Sequence, residues 1–111
     1  LLHLQVSRAG WDAEDFCVGL TVNNTGEYCE SVVVELFGLD RDVRRFEFDP
    51  LVSGASQTAH FRGLHEWENF EVVIEYRTRS GAFNTQSFSV IHCLEEGYGD
   101  SYEVRKHAFS S

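Results

Sequence analysis

The feature that most constrains this chain is a set of short runs in which apolar and polar residues alternate. Turn residues interrupt these runs about every eight to twelve positions. The clearest run is Asn69 to Thr78, where Phe70, Val72, Ile74 and Tyr76 point one way and Glu71, Val73, Glu75 and Arg77 the other. A period of two marks a strand with one buried face. Earlier runs carry Leu2, Leu4 and Val6; then Phe16, Val18, Leu20 and Val22; then Val32, Val34 and Leu36. A short run with Phe46 and Phe48 ends at Asp49-Pro50, because proline cannot donate to a ladder. Ala59 and Phe61 mark a further strand, and Phe88 and Val90 another near Gln86 to Cys93. No segment keeps a 3.6-residue period long enough to predict a helix.

The intervals are rich in residues that tolerate turn geometry. Gly10 to Asp15 is expected to be a loop, and Asn23-Asn24-Thr25-Gly26, Asp40-Arg41-Asp42, Ser53-Gly54 and Ser80-Gly81 are expected to be turns. Asn23-Asn24-Thr25 also matches a glycosylation sequon, although a turn here calls for Asn in any case. Seven strands at this spacing predict an all-β, antiparallel, immunoglobulin-like sandwich, a pattern that a jelly roll or small barrel shares. The sandwich is expected over residues 1–93. A tail at 94–111 follows, with an extra strand possible from Tyr102 to Phe109. A chain of 111 residues has room for one core.

Several segments carry a resemblance. Leu20 to Gly26, Val32 to Leu36 and Pro50-Leu-Val-Ser-Gly-Ala-Ser56 together resemble the cell-adhesion-related domains of bacterial and archaeal surface proteins. Phe61-Arg-Gly-Leu64, Phe70 to Ile74 and Ser80-Gly81 are similar to the later half of a fibronectin type III domain. The buried Trp of that family's second strand is missing, since Phe16, Val18 and Leu20 stand there. The resemblance implies a non-catalytic module of a larger surface or extracytoplasmic protein. It names no ligand.

Charge narrows the partners. Eighteen Asp and Glu against nine Lys and Arg give a net charge of −9, which repels phosphate backbones and anionic membranes. Nucleic acid and direct membrane contact are therefore not expected; a protein partner or self-association is. Only Lys106 is a lysine, a balance compatible with a salt-loving source or simply a GC-rich genome. No methionine occurs, so the chain is expected to be a processed product or a piece of a longer one. Cys17, Cys29 and Cys93 fit no metal or redox spacing. Cys17 and Cys93 fall opposite the core in the alternation, on different sheets, which predicts free thiols.

Candidate chemistry is sparse. His60 and His65 near Glu66 and Glu68 are of metal-ligating types but lack a ligand spacing. Asp40, Asp42, Asp49 and the segment Glu95-Glu96-Gly97-Tyr98-Gly99-Asp100 offer oxygens to calcium without the alternation of a calcium loop. No nucleophile with an oriented base and no phosphate-cradling glycine loop is present, so neither catalytic residues nor a cofactor are expected. Two sets remain. Phe37, Val73 and Ile91 fall on the outward side of the third, sixth and seventh strands, an apolar patch that predicts an interface or a seat for the tail. Trp11 and Trp67, both expected in loops, could serve as stacking platforms for a carbohydrate, with loop Asp and Glu as polar partners. A structural subunit of a filament or particle is the third functional expectation.

Overall fold

The computed structural model describes residues 2–38 and 43–107. Eight strands form: β1 (Leu2–Asp12), β2 (Asp15–Asn24), β3 (Cys29–Phe37), β4 (Val43–Glu47), β5 (Ser56–Leu64), β6 (Phe70–Thr78), β7 (Phe83–Glu95) and β8 (Gly99–Lys106). They make two antiparallel sheets, one ordered β1-β2-β5 and the other β4-β3-β6-β7-β8. The architecture is a two-sheet β-sandwich, with no helix among the described residues.

Alternation explains the interior. Leu2 and Leu4 on β1, Phe16, Val18, Leu20 and Val22 on β2, and Ala59 and Phe61 on β5 meet Val32, Val34 and Leu36 on β3. From the same sheet as β3 come Phe70, Val72, Ile74 and Tyr76 on β6, with Phe88 and Val90 on β7. Two polar side chains are buried in this packing, Asn24 and Gln86.

Two expectations need correction. The count is eight strands rather than seven, because the C-terminal segment adds β8 along β7 from Gly99 to Lys106. Gly10 to Asp12 are strand rather than loop. A bulge at Ser7, between the pairs Val6–Leu20 and Arg8–Gly19, shifts the phase of β1, so Ala9 and Trp11 take up inward positions opposite Val18 and Phe16. The β1–β2 connection is thus only Ala13-Glu14, with Ala13 at φ 56° supplying the left-handed residue that a tight hairpin needs. On the edge strand β4, Phe46 follows the inward phase of Val34 yet is exposed, since the three-stranded sheet is too narrow to cover that edge. The turn Asp40-Arg41-Asp42 and the end of the anticipated last strand at Phe109 lie outside the described residues.

Candidate functional site

Aromatic side chains from five segments gather at one end of the sandwich. Phe16 on β2 is the buried centre, with Trp11 edge-on at 5.6 Å and Trp67 edge-on at 5.2 Å. Trp11 therefore belongs to a strand, not a loop, yet is 56% exposed, its indole N–H directed at the Glu66 carboxylate at 3.4 Å. Trp67 does lie in a loop, held at φ 49°, and packs half-buried against the core. Its ring stacks on His92 at 5.3 Å and leans on Tyr102 at 5.1 Å. His92 Nε2 meets Asp100 Oδ1 at 2.6 Å, and the backbone N–H of His92 donates to Asn69 Oδ1 at 2.7 Å. One Trp plugs the end of the core and the other stands in solvent beside it.

Tyr102 anchors the far side, its hydroxyl donating to the Glu68 carbonyl at 2.9 Å. Burial, with the Glu68 carboxylate adding to it, pushes the phenol up to about 12. In an unfolded chain a tyrosine ionises near 10. The folded state holds this proton more tightly, so its contribution is complete below pH 10 and is lost between pH 10 and about 12. Urea midpoints are expected to fall more steeply across that window in the native protein than in Tyr102→Phe; equal slopes would disprove the assignment.

Beside this cluster, the edges of the two sheets run past each other without pairing. A groove of about 270 Å³ opens between them, lined by Val6, Ser7, Arg8 and Ala9 of β1, by Trp67, and by Asp100, Ser101 and Tyr102 of β8.

The outward face of the five-stranded sheet carries the other predicted set. Phe37 lies opposite Val43 on one side and Glu71 on the other, while Val73 lies opposite Glu35, two residue pairs along and so on the same face. With Val33, these make a checkerboard in which Val43, Phe37, Val73 and Val33 alternate with Glu71, Glu35 and Glu75. Val43 is 51% exposed and Phe37 36%. Ile91 pairs with Glu103, beyond the pair Glu71–Ser89. That polar row separates it from Phe37 and Val73, and Cys93 lies farther along still. Ser89 Oγ meets both Glu71 oxygens at 2.9 and 3.0 Å and His107 Nε2 at 2.7 Å. Glu71 Oε2 also lies 3.2 Å from that same ring nitrogen, so carboxylate and serine share one edge of the imidazole instead of lying at its two ends as a proton relay requires.

On the outward face of the three-stranded sheet, Arg62 reaches Asp12 at 2.7 Å and Asp15 at 3.3 Å. The hydrogen bond from Arg62, reinforced by its charge, holds the Asp12 carboxyl below the usual range. Gly19 leaves a dip here, since a Cβ would come within 3.1 Å of Ser7 Oγ and 3.4 Å of His60 Nδ1. Cys17 is buried on this face, Cys29 in the core, and Cys93 is half-buried on the other sheet; none is bridged. His60 thus lies on this outer face beside Gly19, while His65 follows the end of β5. Asp49 is engaged by Gln57 and Asp100 by His92, while Asp40 and Asp42 lie outside the described residues. Among the described residues, no three His, Cys, Asp or Glu side chains converge as a metal-binding group.

Compared with protein families, curated proteins and solved structures, the chain matches none.

Proposed function

We propose that this chain is a non-catalytic interaction module of a larger extracytoplasmic protein, docking a protein partner through the β4–β3–β6 face. The order β1-β2-β5 against β4-β3-β6-β7 supports immunoglobulin-like wiring, with β8 an added edge strand. The observation that carries the docking reading is the checkerboard of Val43, Phe37, Val73 and Val33 among carboxylates. Arg45 is taken up by Glu47 and Arg77 by Glu30, while Glu35 and Glu75 beside Val73 have no ion-pair partner among the described residues. Such a face matches a protein surface whose apolar residues are flanked by Lys and Arg. A second copy would set carboxylate against carboxylate, so self-association is disfavoured.

The test is the combined change Phe37→Ser, Val43→Thr and Val73→Thr, measured on peptides selected from a displayed random library. The change is expected to leave the fold intact, since Val34, Leu36, Val72 and Ile74 on the opposite side are untouched. Selected binders are expected to be rich in Lys and Arg around apolar positions, to weaken as salt rises, and to lose at least about tenfold in affinity to the variant. Binders indifferent to the change would overturn the reading. So would a native dimer that the change dissolves, which would make the partner another copy.

A further inference from the structure

We propose that the groove between β1 and β8 binds a neutral sugar ring. This site is separate from the docking face and does not depend on it. Each of the two strands is the edge of its own sheet, and no strand pairing joins them. The bulge at Ser7 lies where the groove opens. Its lining is amphipathic on a small scale: the half-buried Trp67 and Tyr102, the short apolar Val6 and Ala9, and at the rim Arg8, Asp100 and Ser101.

The chemistry of that set selects its ligand class. A pyranose offers an apolar C–H face to an aromatic ring and a rim of hydroxyls that both donate and accept. Arginine can only donate, ionised aspartate can only accept, and serine does both, so the rim matches hydroxyls in either role. Arg8 and Asp100 bring one charge of each sign to the groove, and the chain's overall charge of −9 disfavours a phosphate or uronate. At about 270 Å³, the groove lies just under the size of sites for drug-sized ligands and suits one or two rings.

The groups are also held in place before any ligand arrives. Trp67 is braced by Phe16, His92 and Tyr102 at 5.1 to 5.3 Å. Asp100 is fixed by His92 at 2.6 Å, and Tyr102 by the Glu68 carbonyl. Preorganised groups lose little freedom on binding.

The experiment titrates the full chain with methyl glucosides, galactosides and mannosides, the disaccharides cellobiose and maltose, glucuronate and glucose 6-phosphate. Tryptophan emission and saturation-transfer NMR give the readout. At least one neutral sugar is expected to bind with a Kd of about a millimolar or tighter. Trp11→Phe should leave that affinity unchanged, assigning the emission change to Trp67. Arg8→Gln and Asp100→Asn should each weaken binding at least about tenfold without moving the thermal midpoint by more than a few degrees. The proposal is overturned if no neutral sugar binds, if the charged sugars bind more tightly, or if affinity survives Arg8→Gln.

Discussion

Replacing Asn24 with alanine is expected to cost the domain about 3 kcal/mol, a large share of the 5–15 kcal/mol that typically holds a domain together. Asn24 is 1% exposed at the end of β2. Its amide group donates to the carbonyls of Glu27 at 2.8 Å and Leu51 at 2.9 Å, and its Oδ1 accepts from the Gly26 N–H at 3.0 Å. Its own backbone is tied to the loop after β4, with its N–H donating to Ala55 O and its carbonyl accepting from Gly54 N–H. One side chain therefore clamps the turn after β2 to that loop. The Leu51 carbonyl keeps a bond from Cys29 N–H after the substitution, so the loss falls mainly on Gly26 N–H and on the Glu27 carbonyl, which keeps only the weak Cys29 thiol donor at 3.4 Å. Each orphaned group costs about 1–3 kcal/mol, less where water can enter. For a domain of this size the thermal midpoint should drop by about 10–20 °C. Asn24→Asp should be worse, since it turns carboxylate oxygen toward two carbonyls. Asn23→Ala, on the outward face of β2, should change stability by less than about 1 kcal/mol. Equal effects at positions 23 and 24 in urea unfolding would refute the clamp.

Asn24 also marks the limit of what the sequence discloses. Asn-Asn-Thr-Gly announces a turn because these residues tolerate its geometry. The phase of Phe16, Val18, Leu20 and Val22 turns Asn24 rather than Asn23 inward, but the Leu51 carbonyl that it bonds is distant in sequence and unannounced. The strand runs are legible for a simpler reason. A strand with one buried face must alternate, so Phe70, Val72, Ile74 and Tyr76 declare their own orientation without any partner. Legibility fails where the phase breaks. Beyond Ser7 the inward residues of β1 move from even to odd positions, and Gly10-Trp11-Asp12 then reads as a loop. It fails again at sheet edges: Phe46 follows the inward alternation, but nothing in its own segment reveals that the facing sheet stops short.

The sites divide along the same line. Alternation alone places Phe37, Val73 and Ile91 on outward positions, but their distances depend on the stagger between β6 and β7. The pair Phe70–Val90 carries Ile91 past the end of β6, behind the row of Glu71 and Ser89. Val43 stands in its place beside Phe37, and one valine next to a charged turn gives no signal of that. Trp67 stands out in the sequence as a large residue in a polar loop. Its neighbours His92, Asp100 and Tyr102 come from β7 and β8, and Arg8 follows an unforeseen bulge, so the groove appears only when both sheets are assembled.

Gln86 is the second buried polar group, and Gln86→Leu is expected to cost the domain about 3–5 kcal/mol. The side chain is 2% exposed and bridges the two sheets. From β7, its Oε1 accepts from the Leu2 N–H at 2.9 Å and from the Tyr76 hydroxyl at 3.0 Å, while its Nε2 donates to the Leu2 carbonyl at 2.8 Å. The amide thus acts toward Leu2 as a neighbouring strand would, offering one donor and one acceptor. Leucine has similar bulk, so the loss is not a cavity; it is three polar groups left with no partner from β7 in a low-dielectric interior. Adding Tyr76→Phe removes one of the three. In the Gln86→Leu background that second change should cost about 1 kcal/mol less than it does alone, because the hydroxyl no longer has a bond to lose. Denaturant unfolding of the four proteins in this cycle measures the coupling directly. A Gln86→Leu cost under about 1 kcal/mol, or additive single and double changes, would mean that the bridge between the sheets is not held by this amide.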